Sequence, residues 1–207
     1  MIPRDREILG TLTHKVGVLS LGQIARTWWS SSLASTAVKR MEGLQRAGLV
    51  VGVRFNVHPE LELKEPLLTW SPGDVTPHFG FLAHRLQRRW NEPCRPTLVY
   101  RATTLANQRF GGSGGSPIRS VHQVTHDLHV AALYLRWRTE RPERASRWIS
   151  EQRLASSRRG QVLPDALIKG SDGKPETIIE FGGSYRAPVL ARKHAAFAEM
   201  NLSYELW

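Results

Sequence analysis

Two carboxylates in the C-terminal third of the chain have a spacing that could hold a metal ion. Asp165 and Glu180 each lie in a short run of aliphatic residues, and fourteen residues separate them. The segment 170–175 joins the two runs and is rich in turn-forming residues. If the turn is centred between Asp172 and Gly173, the two acids face each other across a hairpin with their Cβ atoms about 5 Å apart. Carboxylates this close repel one another, so we expect a divalent cation, a cationic side chain or a proton to compensate them.

The elements around this hairpin predict an α/β domain. Hydrophobic periodicity indicates two helices that flank a group of three strands, with a fourth strand after the second helix. A proline at the first turn is typical of the start of that second helix. The predicted elements are a helix over 121–137, strands over 147–154, 162–169 and 177–181, a helix over 188–200 and a strand over 203–207.

The first sixty residues predict a different module. Ser20 and Gln23 form the pattern of a capping box, in which each side chain satisfies the backbone amide of the other residue. Three short helices followed by a strand are the layout of a winged helix. The predicted elements are helices over 5–14, 20–28 and 32–47, a strand over 49–57 and a second wing strand over 67–70.

In a winged helix the third helix enters the major groove, so its outward polar and basic residues are candidates for DNA contact. Arginines of the strand and of the middle segment extend this set, because guanidinium groups bind phosphate. The alternative is a helical module for protein contact or dimerisation, whose charges are only solvated. The predicted DNA-binding residues are Ser35, Thr36, Lys39, Arg40, Arg46, Arg54, Arg88 and Arg89.

The composition favours a polyanionic partner. The 207 residues include 29 Lys and Arg against 18 Asp and Glu, which gives a formal net charge of +11. Most of the cations are arginine, which suits double-stranded DNA better than a membrane surface. No run of 18 apolar residues or signal-like start is readable, so we expect a cytoplasmic protein without a membrane partner. The single cysteine, Cys94, excludes an intramolecular disulfide framework.

The middle of the chain separates these two modules. It predicts a helix over 79–90, a strand over 96–101 and a helix over 103–110. The Gly/Ser-rich stretch 111–117 interrupts all periodicity and is predicted to be a loop or linker. The predicted domains are therefore 1–75, a connecting segment 76–117 and 118–207.

The motif around the two acids resembles the PD-(D/E)XK nuclease superfamily, whose fold is the restriction-endonuclease-like α/β core. The motif of this superfamily begins with Pro-Asp, which matches Pro164 and Asp165 here. After fourteen further residues, the second part of the motif matches Glu180, Phe181 and Gly182. The resemblance implies that Asp165 and Glu180 hold Mg²⁺ or Mn²⁺ and that a lysine two residues after the glutamate activates water. That position is Gly182 here. Lys193 on the following helix is the candidate substitute, with a phosphate contact or a solvated residue as its alternative. Asp127 is a candidate third metal ligand, with an ordinary residue of a helix surface as its alternative.

A resemblance over most of the chain is to the replication-relaxation family of plasmid mobilisation and replication accessory proteins. The corresponding segments are 125–130, 163–167, 178–183 and 192–194, in the order that this family has them. The resemblance implies an α+β or α/β chain, with an N-terminal winged helix followed by a degenerate restriction-endonuclease-like domain.

These observations lead to three functional hypotheses. The first is a DNA-binding accessory protein of plasmid or mobile-element replication or transfer, with a relaxase or replication initiator as its protein partner. The second is a Mg²⁺-dependent endonuclease in which Asp165, Glu180 and Lys193 are catalytic. The third is a winged-helix transcriptional repressor that uses its C-terminal domain to form a homodimer or to contact another protein.

Overall fold

The computed structural model describes residues 1–30, 34–113, 120–155 and 162–207 of the chain. These ranges contain both helices and strands. In chain order they are α1 (Pro3–His14), β1 (Leu19–Ser20), α2 (Leu21–Trp28), α3 (Ala34–Arg46), β2 (Val50–Val57), β3 (Leu68–Trp70), α4 (Phe79–Arg88), β4 (Arg95–Ala102), α5 (Thr104–Phe110), α6 (Val121–Glu140), α7 (Pro142–Ser146), β5 (Trp148–Ser150), α8 (Glu151–Ala155), β6 (Ala166–Lys169), β7 (Pro175–Glu180), α9 (Ala187–Glu199) and β8 (Ser203–Leu206).

The chain folds into two compact units, and each unit is made of two separate stretches. The first unit comprises Met1–Glu60 and Cys94–Glu140, and the second comprises Leu61–Pro93 and Arg141–Trp207. These units divide the chain at other places than the predicted domains 1–75, 76–117 and 118–207. The reason is strand pairing: β4 belongs to the sheet of β2, whereas β3 belongs to the sheet of β8.

The first unit contains a three-stranded antiparallel sheet with the order β1–β4–β2. β4 pairs with the whole of β2, from Val50 opposite Ala102 to Val57 opposite Arg95. The strand predicted over 96–101 is therefore the hairpin partner of β2. The prediction of a wing strand over 67–70 was wrong, because Leu68–Trp70 pairs with β8 in the second unit.

The predicted capping box is present and also connects α2 to α6 within the first unit. The Gln23 amide donates to Ser20 Oγ and the Ser20 amide donates to Gln23 Oε1, both at 3.0 Å. The Gln23 side chain is buried, and its Nε2 donates to the Leu128 carbonyl at 2.7 Å. Val124 and Leu128 of α6 then pack against valines of the sheet. Local capping and the packing of a distant helix thus share one residue.

An ion pair between Arg40 and the buried Asp5 holds α3 against α1. Asp5 has no exposed surface and accepts two hydrogen bonds from the Arg40 guanidinium, of which Nε–Oδ1 is 2.7 Å long. Its Oδ2 also accepts the Ile2 amide at 2.8 Å. Burial by itself would raise the pKa of Asp5, but the hydrogen bonds from Arg40 and Ile2 outweigh it and lower that pKa. Arg40, predicted to contact DNA, therefore has a structural partner within its own unit.

The second unit contains a five-stranded mixed sheet with the order β3–β8–β7–β6–β5. β5, β6 and β7 form an antiparallel meander. α9 then connects β7 to β8, and these two strands pair in parallel. The three strands, the helix and the final strand follow the predicted order, but the helix predicted to open this domain over 121–137 is α6, which belongs to the first unit, where Val124 and Leu128 pack against its sheet. Two strands are shorter than predicted: the segment 147–154 divides into β5 and α8, and the segment 162–169 becomes extended only at Ala166.

The core of the second unit lies between this sheet and the helices α4 and α9. Trp70 of β3 stacks on Tyr204 of β8, with ring centroids 5.6 Å apart. The buried residues of this core are Trp70, Leu82, Ala83, Leu86, Ile178, Leu190, Phe197, Tyr204 and Leu206. This aromatic contact explains why the segment 67–70 joins β8 and not β2, since burying Trp70 here removes a large apolar surface from water.

Two predicted features fall partly outside the described residues. Gly111 ends α5 in the left-handed conformation, with φ 68°, and the Ser113 amide donates to the Thr13 carbonyl at 3.1 Å. Residues 114–119, which include the rest of the predicted linker, and the start of the predicted third helix at 32–33 lie outside the description. Among the described residues, none of the helices is both long enough and apolar enough to cross a membrane.

We expect Arg40→Ala to destabilise the protein at pH 7 and to lower its urea midpoint, because it leaves the buried Asp5 carboxylate without its cation. Urea unfolding of both proteins across a pH series measures this difference. Because folding lowers the pKa of Asp5, the ionised carboxylate stabilises the fold fully at pH values above its ordinary pKa of 3.8. This stabilisation is lost as the pH falls through the lowered pKa. The difference between wild type and variant should therefore shrink below about pH 4.

Lys39→Ala is the matched control, since Lys39 is the neighbouring cation on the same helix and is exposed. It should leave stability within about 0.5 kcal/mol of the wild type. Equal stability of the Arg40→Ala variant and the wild type at pH 7 would contradict a structural role for this ion pair.

Candidate functional site

The two predicted metal ligands lie at the same end of neighbouring strands in the second unit. Asp165 directly precedes β6, and Glu180 is the last residue of β7. The opposed pairs Ala166–Ile179, Leu167–Ile178 and Ile168–Thr177 confirm the register predicted for this hairpin, and a bulge follows at Lys169. Continuing the register by one residue places Asp165 opposite Glu180. Carboxylate oxygens of the two acids lie within 4.8 Å of each other.

Both carboxylates are buried, and donors of the same unit compensate them. Asp165 is 8% exposed, and its Oδ2 accepts the Phe181 amide at 2.7 Å. Glu180 is 1% exposed, and its Oε1 lies 2.6 Å from the Lys193 ammonium. The same oxygen accepts the Tyr185 hydroxyl at 3.0 Å. The cationic side chain expected beside the acid pair is therefore present, and it comes from α9.

Lys193 is held in place by more than its ion pair with Glu180. Its ammonium also donates to the Leu163 carbonyl at 3.3 Å, just upstream of Asp165. The ammonium lies 5.6 Å from the ring centre of Tyr185 and 5.7 Å from that of Phe197, within the range of a cation–π contact. Only 14% of its side chain is exposed. A solvated surface lysine would have none of these contacts.

Tyr185 is a member of the site that the sequence analysis did not identify. Burial, together with the carboxylates of Glu180 and Asp165, raises the pKa of Tyr185, so its hydroxyl stays protonated and donates. The available signal was its position, in the short turn between Glu180 and the helix that carries Lys193. A single tyrosine in a turn is too common for that position to have been decisive.

The motif position of the missing lysine faces the core. A Cβ atom at Gly182 would lie 2.7 Å from both methyl groups of Leu86 and 3.1 Å from a methyl of Leu206. Leu86 is fully buried, so it has little room to move. The Gly182 amide also donates to the Trp207 carbonyl at 2.9 Å. A lysine could not occupy this position without displacing α4, which explains why the ammonium reaches Glu180 from α9.

A small cavity lies beside Glu180 and Lys193. Its volume is about 10 Å³, and the rest of its lining consists of apolar and aromatic residues of the core, among them Phe79, Leu190 and Phe197. This space is large enough for about one water molecule. The site is an arrangement of charges at the edge of a core.

The third predicted metal ligand, Asp127, belongs to the first unit. It lies on α6, partly buried, with an oxygen 3.4 Å from His126 Nδ1. The second unit by itself thus supplies Asp165 and Glu180, and the role of Asp127 stays a prediction. The donor set of Asp165 and Glu180 suits Mg²⁺ or Mn²⁺, which prefer carboxylate oxygens.

The predicted DNA-binding residues divide into outward and inward groups. Arg54 on β2 is exposed, as is Arg88 at the end of α4 in the second unit. On α3, the outward residues are Ser35, Thr36, Lys39 and Arg46, all of them exposed. Arg40 is held by Asp5, as described above.

Arg89 points into the second unit. Its guanidinium donates to the carbonyls of Trp207 at 3.0 Å and Gly183 at 3.4 Å, and it lies 4.7 Å from the ring centre of Phe181. Burial lowers the pKa of Arg89 to about 10. This arginine ties α4 to the turn that follows β7, so its contacts are those of a structural residue.

No protein-family model, curated protein or solved structure matches the chain.

We expect Gly182→Ala to destabilise the protein by about 1–3 kcal/mol, because its methyl group would press on Leu86 in a close-packed core. The double variant Gly182→Ala/Leu86→Ala should show coupling that recovers part of this overpacking cost, as measured by a double-mutant cycle in urea. Gly10→Ala is the control, since no atom lies within 4 Å of its added Cβ on α1. Additive effects of the two substitutions would contradict this contact.

Proposed function

We propose that the chain binds double-stranded DNA through its first unit. The observation that carries the proposal is the topology α1–β1–α2–α3–β2–β4 with the antiparallel strand order β1–β4–β2. This order supports a winged helix, and in the proposal β2 and β4 form its wing, with an inserted segment in place of the usual short loop between them. The exposed side of α3 supplies the residues that would enter the major groove.

The distribution of charge supports the same assignment. Of the 29 Lys and Arg residues, 14 lie in the first unit together with six of the 18 Asp and Glu residues, so this unit has a formal charge of +8 out of +11. A basic face attracts the phosphate backbone and increases the association rate. We propose Ser35, Thr36, Lys39 and Arg46 of α3 and Arg54 of the wing as the contacting residues.

The proposed setting is an accessory role in the replication or transfer of a plasmid or mobile element. It is supported by the order of the motifs at 125–130, 163–167, 178–183 and 192–194. The second unit would then provide a nuclease-like surface for DNA or for a relaxase or replication initiator. A repressor is distinguished by its DNA preference, since it would bind one operator-like site at least about 10³-fold more tightly than random duplex.

We expect the double variant Lys39→Ala/Arg54→Ala to bind duplex DNA more weakly and with a shallower salt dependence. Each lost phosphate contact should reduce the slope of log K against log salt by about 0.9, and the loss should be similar for unrelated sequences. Fluorescence anisotropy with a labelled duplex over a salt series measures both quantities. Arg40 is left intact, so that the fold is unaffected.

Lys174→Ala is the matched control, because this lysine is exposed in the hairpin of the second unit. An unchanged slope in the double variant would remove α3 and the wing from the interface. A reduced slope in the control as well would indicate that binding is a property of the net charge alone.

A second candidate function, a metal-dependent endonuclease, is favoured by the lysine at the acid pair. Asp165, Glu180 and Lys193 converge from β6, β7 and α9, and the sheet has the meander and parallel crossover expected of a restriction-endonuclease-like core. A bound Mg²⁺ or Mn²⁺ would supply an activated water and stabilise phosphate charge. In this proposal Asp165 and Glu180 hold the ion, Lys193 positions the water or the phosphate, and Tyr185 orients Glu180.

If this second function holds, supercoiled plasmid should be nicked in the presence of Mg²⁺ or Mn²⁺. Asp165→Asn and Glu180→Gln should abolish nicking, and Lys193→Met should reduce its rate by about 10²–10⁴-fold. Asp172→Asn, an exposed acid in the same hairpin, is the control and should retain full activity. Agarose gels report nicking, and urea unfolding checks that each variant is folded.

An intact plasmid with folded wild-type protein would exclude the endonuclease and would leave the DNA-binding proposal unaffected. Nicking that survives Asp165→Asn would locate the activity elsewhere.

A further inference from the structure

The outward side of α4 in the second unit carries an exposed aromatic ring among cations. The inward side contributes Leu82, Ala83 and Leu86 to the core. The residues at the spacing i, i+3, i+4 and i+7 on the other side are Phe81, His84, Arg85 and Arg88, and all four are exposed. We call these four residues the α4 outer face.

Phe81 has no role in the core of this unit. Its residue is 58% exposed, although it lies only one position from the buried Leu82. The Phe81 amide donates to His78 Nδ1 at 3.0 Å, so the helix cap fixes Phe81 in the first turn, where its side chain points away from the sheet. An exposed phenyl ring at this position contributes little to folding free energy, so a binding role accounts for it better.

The charged side chains of α4 have a single sign. The Arg85 guanidinium lies 5.8 Å from the ring centre of Phe81, within the range of a cation–π contact. Arg88 follows one turn later, and α4 contains no Asp or Glu. A phenyl ring can stack on a flat aromatic group, and the neighbouring guanidinium groups can bind anions. This surface therefore suits a ligand in which aromatic groups are joined by anionic links.

We propose that the α4 outer face binds single-stranded nucleic acid. Phe81 would stack on an unpaired base, and Arg85 and Arg88 would bind the adjacent phosphates. In a duplex the faces of the bases are already covered by their neighbours, so a ring on a helix surface cannot stack on them without opening the strand. This site is separate from the duplex-binding surface proposed for the first unit, and it uses different chemistry.

The test compares a single strand with bases to a single strand without them. The full chain is titrated against a labelled oligothymidine of about 12 nucleotides and an abasic oligomer of the same length, by fluorescence anisotropy. The wild type should bind the oligothymidine about 5–100-fold more tightly than the abasic strand, which is the contribution expected of one stacked base. Phe81→Ala should abolish this preference, and Phe81→Trp should retain it.

Arg85→Ala/Arg88→Ala should weaken the binding of both strands and reduce the salt slope, because phosphate contacts do not depend on bases. Val75→Ala, an exposed apolar residue of the same unit, is the control and should change nothing. A wild type with equal affinity for the two strands, or a Phe81→Ala variant that keeps the preference, would overturn the proposal. Duplex affinity, measured in parallel, should not change in Phe81→Ala, so failure here is distinguishable from failure of the first unit to bind DNA.

Discussion

A carboxylate that folding removes from water must be compensated by donors close to it, and each unit of this protein contains such a case. In the first unit Asp5 is held by the guanidinium of Arg40 and the Ile2 amide. In the second unit Glu180 is held by the Lys193 ammonium and the Tyr185 hydroxyl. Removing one partner from such a pair costs more than the pair contributes, because a charge is then left buried alone. These contacts therefore fix α3 on α1 and α9 on the end of β7.

The same constraint divides the basic residues by role. Arg40 and Arg89 are positively charged like the exposed arginines, but each has a partner inside its own unit. Arg40 is paired with Asp5, and Arg89 donates to backbone carbonyls. Lys39, Arg46 and Arg54 lie on the surface of the first unit, where they are available to phosphate. A net charge of +11 favours a nucleic-acid partner, but the folded environment decides which cations can reach it.

Much of the local structure follows from short-range signals. The Ser20–Gln23 capping box, the hairpin around Asp172 and the helix that carries Lys193 were predictable, because capping, turn chemistry and periodicity act over a few residues. The hairpin register also placed Asp165 opposite Glu180. The pairing of β3 was not predictable: Leu68–Trp70 is equally compatible with a wing, and its partner β8 lies more than 130 residues further along the chain.

The sequence by itself determined the two acids, their register, the basic character of the chain and the existence of most helices and strands, since these depend on residue type and near neighbours. Only the tertiary structure decided that β4 pairs with β2, that Arg40 and Arg89 have structural partners, and that Lys193 and Tyr185 meet at Glu180. The first two are contacts between segments far apart in sequence, whereas the contacts at Glu180 span only 5 and 13 residues and depend on how α9 packs on the end of β7. Such contacts are selected by the packing of whole units, which leaves no pattern among neighbouring residues.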